Sequence, residues 1–192
     1  MIGLAAGISP GPLSVLVMQQ TLEHGLCQGV KFIMAPLRTA CPIILLSLGL
    51  LSYFSGAEYF IAVISLLGGV YLFYLAKGML FSSGLAASGD PGGAIGLSGM
   101  LKVNLLNPNP YMFWITIGGA YFDNDKPLVT VGFVLILLIT IVTSKSLIAC
   151  VTSVFREQVK GAVYLWITRG LGLVLAAYGG VYLNRSYLAL IA

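Results

Sequence analysis

The residues whose types and spacing could do chemistry here are two proline motifs and three buried-looking cations. Ser9-Pro10-Gly11-Pro12 and Asn107-Pro108-Asn109-Pro110 each lie inside a long apolar stretch. A proline removes a backbone donor and blocks the bond to the carbonyl four residues earlier, so neither helix can run through unbroken. The half-helix that resumes after each motif offers unpaired N–H groups and the positive end of its dipole, which suit a carboxylate. The carbonyls released from Ala6, Ile8, Asn104 and Leu106 suit a cation or an ammonium group. One concavity could thus hold both ends of a zwitterion. Asn104, Asn107 and Asn109 cluster at the second motif, where they can satisfy freed backbone groups, contact a solute, or do both.

The surroundings of these motifs follow from composition. Of 192 residues, 58% are hydrophobic and only 8% are charged, with a mean hydropathy of +0.98. No soluble core of this size requires that, so the chain is read as an integral membrane protein. The net charge of +4 is scattered rather than gathered in a patch, which argues against nucleic acid as a partner. Cys27, Cys41 and Cys150 are odd in number and widely spaced, so neither a disulfide framework nor a redox pair is visible. Met1 to Ala6 lack a basic region and run straight into the first motif, as the start of a first helix rather than a cleaved leader.

A spanning helix needs about 20 apolar residues. Six such stretches fit, at roughly Ile2 to Leu22, Val30 to Phe54, Tyr59 to Phe81, Gly99 to Phe122, Leu128 to Phe155 and Gly161 to Leu183. Residues 82–98 are rich in Gly and Ser and read as a flexible connection. The expected architecture is all-α, one membrane domain over 1–192, with repeat 1 at about 1–81 and repeat 2 at about 99–192. Three helices per half make the second half enter the membrane in the opposite sense, an inverted repeat with helices 1 and 4 broken by proline. A shift of 98 residues (108 − 10) lays Pro10 on Pro108 and Pro12 on Pro110. Lys31, Lys77, Lys102, Arg156 and Lys160 flank one side, Lys126 and Arg185 the other, which predicts a cytoplasmic first side and both termini outside. Tyr182 and the aromatic residues around Tyr53 and Tyr121 are expected in the outer aromatic belt.

Arg38, Lys145 and Arg169 fall within these spans, where a cation costs at least ~2.5 kcal/mol. They bind a solute carboxylate, or they snorkel or pair with kink carbonyls such as that of Phe32, freed by Pro36. Lys145 is nearer a helix end, which favours snorkelling, whereas Arg38 and Arg169 sit deeper. All six acids fall in loops or at helix ends, leaving Glu23 and His24 at the inner mouth as the groups placed to carry a proton.

Ser-Pro-Gly-Pro in helix 1, Gly25 and Gly29 before helix 2, Leu67-Gly68-Gly69-Val70-Tyr71-Leu72-Phe73-Tyr74-Leu75 in helix 3 and Asn104-Leu105-Leu106-Asn107-Pro108 in helix 4 together resemble the LysE/RhtB-type amino-acid exporters. The resemblance covers nearly the whole chain. It implies a six-helix secondary transporter of the inner membrane that exports amino acids or similar metabolites, is driven by the proton gradient, acts as a homodimer and needs no cofactor. The chain departs from the family at Asn109, where members usually carry lysine, and at Pro36 and Pro42, where helix 2 is usually rich in glycine. Those departures fit a branch with a different solute.

The site expected from these readings comprises Pro10, Gly11, Pro12, Arg38, Asn104, Asn107, Pro108, Asn109 and Arg169. Three other classes compete. A membrane thiol-disulfide electron carrier needs cysteines that meet across the repeat, but the 98-residue shift maps Cys27 to Asp125, Cys41 to Ile139 and Cys150 to Ser52. A metal-ion transporter wants His, Cys or carboxylate clusters in its helices, and an intramembrane hydrolase wants a nucleophile with its base; neither set is present in the spans.

Overall fold

The computed structural model describes residues 11–51, 54–81, 97–116, 127–159 and 161–191, all of it helices and the turns between them. Ser9 and Pro10 of the first motif, and most of the expected 82–98 connection, lie outside the described residues. The helices are α1 (Pro12–His24), α2 (Leu26–Leu51), α3 (Phe54–Leu80), α4 (Leu97–Leu105), α5 (Pro108–Thr116), α6 (Pro127–Phe155) and α7 (Ala162–Ile191). Among them α2, α3, α6 and α7 each contain a run long and apolar enough to cross a membrane.

Boundaries move where local chemistry overrides composition. Gly25, at φ +87°, turns the chain within one residue, so α2 begins at Leu26 rather than near Val30. Gly29 then passes so close to Thr21 that a Cβ there would collide with the threonine hydroxyl. Arg156, just beyond α6, closes the end of α1: its Nε donates to the Leu22 carbonyl at 3.1 Å and its Nη2 to that of Glu23 at 3.3 Å. Burial pushes the Glu23 carboxyl above the usual carboxylate range, against the opposing pull of His24 and a hydrogen bond from Gln19. At the far end, α7 continues to Ile191, past the expected stop at Leu183. Its last turns stay attached because Ser186 is buried and Arg185 reaches across to α5.

The longest interface joins α3 to α7 through small residues. Gly69 lies against Leu183 and the Gly179 carbonyl, Gly179 against Phe73, and Gly172 against Met79 and Leu80. Pairs of backbones approach this closely only where no side chain intervenes, the usual basis of helix association in lipid. Tyr182 sits in the same interface with 2% exposure, so the expected place in an aromatic belt is corrected: its ring fills the core and its hydroxyl turns inward. Facing this pair, α2 packs against α1, α4, α5 and α6. Aromatic contacts lock α5 in position, with Tyr111 edge-on to Phe60 of α3 at 5.4 Å and Trp114 edge-on to Phe133 of α6 at 6.0 Å.

Candidate functional site

The fourth expected span is interrupted after Leu105, and α5 resumes at Pro108. Asn107 builds the restart. Its Oδ1 accepts the Asn109 backbone N–H at 3.0 Å, the bond of a helix-capping asparagine, and also the Tyr182 hydroxyl at 2.6 Å. The prolines at 108 and 110 occupy first-turn positions whose N–H groups would have no helical partner in any case. The carbonyls left behind are covered by neighbours: Leu105 accepts the Tyr111 hydroxyl at 2.9 Å, and the Leu106 carbonyl abuts Gly68, where any Cβ would clash with it. Gly68 is therefore the residue that lets the interrupted segment lie against α3.

On the other side of the bundle α1 starts at Pro12, with Gly11 in extended backbone as its N-cap and no side chain capping it. Between the two helix starts lies a cavity of about 470 Å³. Volumes of a few hundred Å³ suit a small solute. Gly11 and Leu13 of the α1 start, Asn104, Asn107 and Asn109 around the interruption, Pro36 and Ala40 of α2, and Leu137, Ile141 and Lys145 of α6 contribute to its wall. The α2 and α6 residues come from the middle of those helices, so the cavity lies at mid-height of both. Its floor is ordered by Asn104, whose Nδ2 donates to Thr39 Oγ1, while Thr39 itself donates to the Ala35 carbonyl at 2.9 Å. Asn109 stands at the exposed side and accepts from Arg185 at 2.9 Å.

The chain matches the LysE type translocator family over residues 4–186. It belongs to that family. No curated relative and no solved structure matches it. LysE type translocators are membrane transporters rather than enzymes.

Of the residues singled out in this LysE translocator, the fold brings Gly11, Asn104, Asn107 and Asn109 to one cavity. Pro12 and Pro108 are buried as the opening residues of α1 and α5, and Pro10 lies outside the described residues. Arg38 and Arg169 are both exposed and do not line the cavity. The reason for Arg38 is helical geometry: Pro36 and Ala40 face the cavity, and a step of two residues turns the side chain about 200° away. Arg169 follows Thr168 of the buried stripe Tyr164, Thr168, Gly172, Leu175, and is rotated off it by one residue.

The cavity also uses Lys145, a cation that the sequence had weighed toward snorkelling, and side chains that the sequence did not single out for it. Lys145 has 5% exposure, and its Nζ donates to Ser14 Oγ at 2.8 Å, tying α6 to the first turn of α1. Thr39 and Tyr182 hold the asparagines in place. One signal for Lys145 was present: Leu137, Ile141, Lys145 and Ala149 recur every fourth residue, a single helix face. In a helix apolar on all sides that periodicity has no polar face to contrast with.

Proposed function

We propose that this translocator is a secondary transporter exporting amino acids or related small zwitterionic or anionic metabolites across the cytoplasmic membrane by alternating access. The observation that carries this is the single cavity lined both by the start of α1 and by the interruption between α4 and α5. A solute held there touches the two halves of the chain at once, so rocking one half against the other would expose it to either face. The packing supports an inverted repeat: α2 lies on the interrupted pair as α6 lies on α1, and α3 pairs with α7. The lysine and arginine flanks support a cytoplasmic side at the α1–α2 turn and the end of α6, with both termini outside.

A thiol-disulfide carrier finds no support, since Cys27, Cys41 and Cys150 are all free and exposed. Among the described residues no three His, Cys, Asp or Glu side chains gather as a metal-ion carrier would need.

The test is efflux from proteoliposomes preloaded with labelled amino acids. Wild-type protein should release at least one of them faster than empty vesicles, and Asn107→Ala should abolish that release while still inserting. Release by Asn107→Ala at the wild-type rate would place the solute somewhere other than this cavity.

A further inference from the structure

We propose that Lys145 reads the solute's carboxylate, and that the cavity selects solutes with one carboxylate and an uncharged, apolar body. This rests on the transporter assignment above and adds a substrate class to it.

The lysine is placed where snorkelling does not serve it. It lies ten residues before the end of α6 (155 − 145), about 15 Å along the axis, and its side chain turns inward to Ser14 rather than toward that end. Ser14 is the third residue of α1, so the ammonium stands beside a helix N-terminus. Helix starts carry positive partial charge and favour anions. Pro12 has no N–H, and those of Ser14 and Val15 turn back to the Gly11 carbonyl at 2.9 and 3.4 Å. The first turn of α1 contains no acidic residue. A buried cation and the positive end of a dipole are thus set side by side on the cavity wall, an arrangement that an incoming carboxylate stabilises and an incoming ammonium group does not.

The remainder of the wall fixes what accompanies that carboxylate. Among the described residues lining the cavity, Lys145 is the one with a charged side chain. Leu13, Ile43, Phe113, Trp114, Leu137 and Ile141 supply large apolar side chains to the rest. Among those described residues a second carboxylate would find no second cation, and a cationic side chain would find no acid. Either extra charge would be desolvated without a partner. An aliphatic or aromatic side chain gains by leaving water against the same wall. The class is therefore neutral amino acids with apolar side chains and the matching monocarboxylates, with Asn104 and Asn107 at the polar end.

The probes are leucine, leucinamide, lysine and glutamate, compared by counterflow in proteoliposomes and by thermal stabilisation of the purified protein. Wild type should favour leucine over leucinamide, lysine and glutamate at least tenfold. Lys145→Met should lose that tenfold preference for leucine over leucinamide, and Lys145→Arg should keep part of it. Equal handling of leucine and leucinamide by wild type overturns the inference even if the lysine variants do not fold. So does unchanged leucine transport by Lys145→Met, or a preference for lysine or glutamate, and in those cases transport itself stands. A wild-type protein that moves none of the twenty amino acids and none of the matching monocarboxylates removes the proposed amino-acid export as well.

Discussion

Two pairs of prolines in this molecule have opposite outcomes. Pro36 and Pro42 lie inside α2, which runs unbroken from Leu26 to Leu51. Pro108 and Pro110 stand at an interruption that separates two nine-residue helices. Spacing and the preceding residue account for the difference. Pro36 and Pro42 are six residues apart, so a complete turn of ordinary hydrogen bonds lies between them. Pro108 and Pro110 are two apart and remove two donors from a single turn, directly after an asparagine that can cap a new helix. A proline in a membrane helix is a kink or a terminus according to what its neighbours offer the freed groups. Only the terminus opens the cavity wall to asparagine side chains.

This contrast can be broken from either side. The largest effect is expected for Pro108→Ala combined with Pro110→Ala, which restores both donors and permits a continuous helix across residues 97–116. Transport should be lost, and cysteine accessibility across the interruption should acquire a helical period. Next comes Asn107→Ala, which removes the α5 cap and leaves the buried Tyr182 hydroxyl without its acceptor. Together these cost on the order of 2–4 kcal/mol, readable as a lower unfolding midpoint in detergent. Tyr182→Phe deletes one donor while the Asn109 N–H still satisfies Asn107, so about 1 kcal/mol is expected and transport should persist at a reduced rate. The smallest effect on transport belongs to Pro42→Ala, an exposed position off the cavity wall. Export should stay within twofold of wild type, and the melting temperature should rise because alanine is the better helix former. A loss of export in Pro42→Ala as large as in the Pro108/Pro110 double variant would mean that the two proline pairs do the same work.

The α3–α7 pair and the cavity side of the molecule differ in how much of them could be read in advance. Gly68 and Gly69 were legible as part of the helix 3 motif, but what Gly68 accommodates is a carbonyl of a distant interruption, which no local pattern around Gly68 reveals. Asn104, Asn107 and Asn109 were legible because polar residues beside prolines in an apolar run need a purpose. The cations were not sorted correctly by depth, because depth along a helix says nothing about which way a residue faces. Arg38 is near the middle of α2 yet points outward, whereas Lys145, nearer a helix end, points inward to Ser14.

Composition and the proline and asparagine spacing by themselves determined that this chain is a membrane protein and where the backbone of its second half would need special provision. Both are local properties, fixed by the burial preference of side chains and the missing N–H of proline. Tertiary structure alone decided which cation meets the cavity and which tyrosine completes the asparagine cap. Those choices depend on the rotation of each helix about its axis, and in helices apolar on every face that rotation is set by interhelical packing rather than by sequence periodicity.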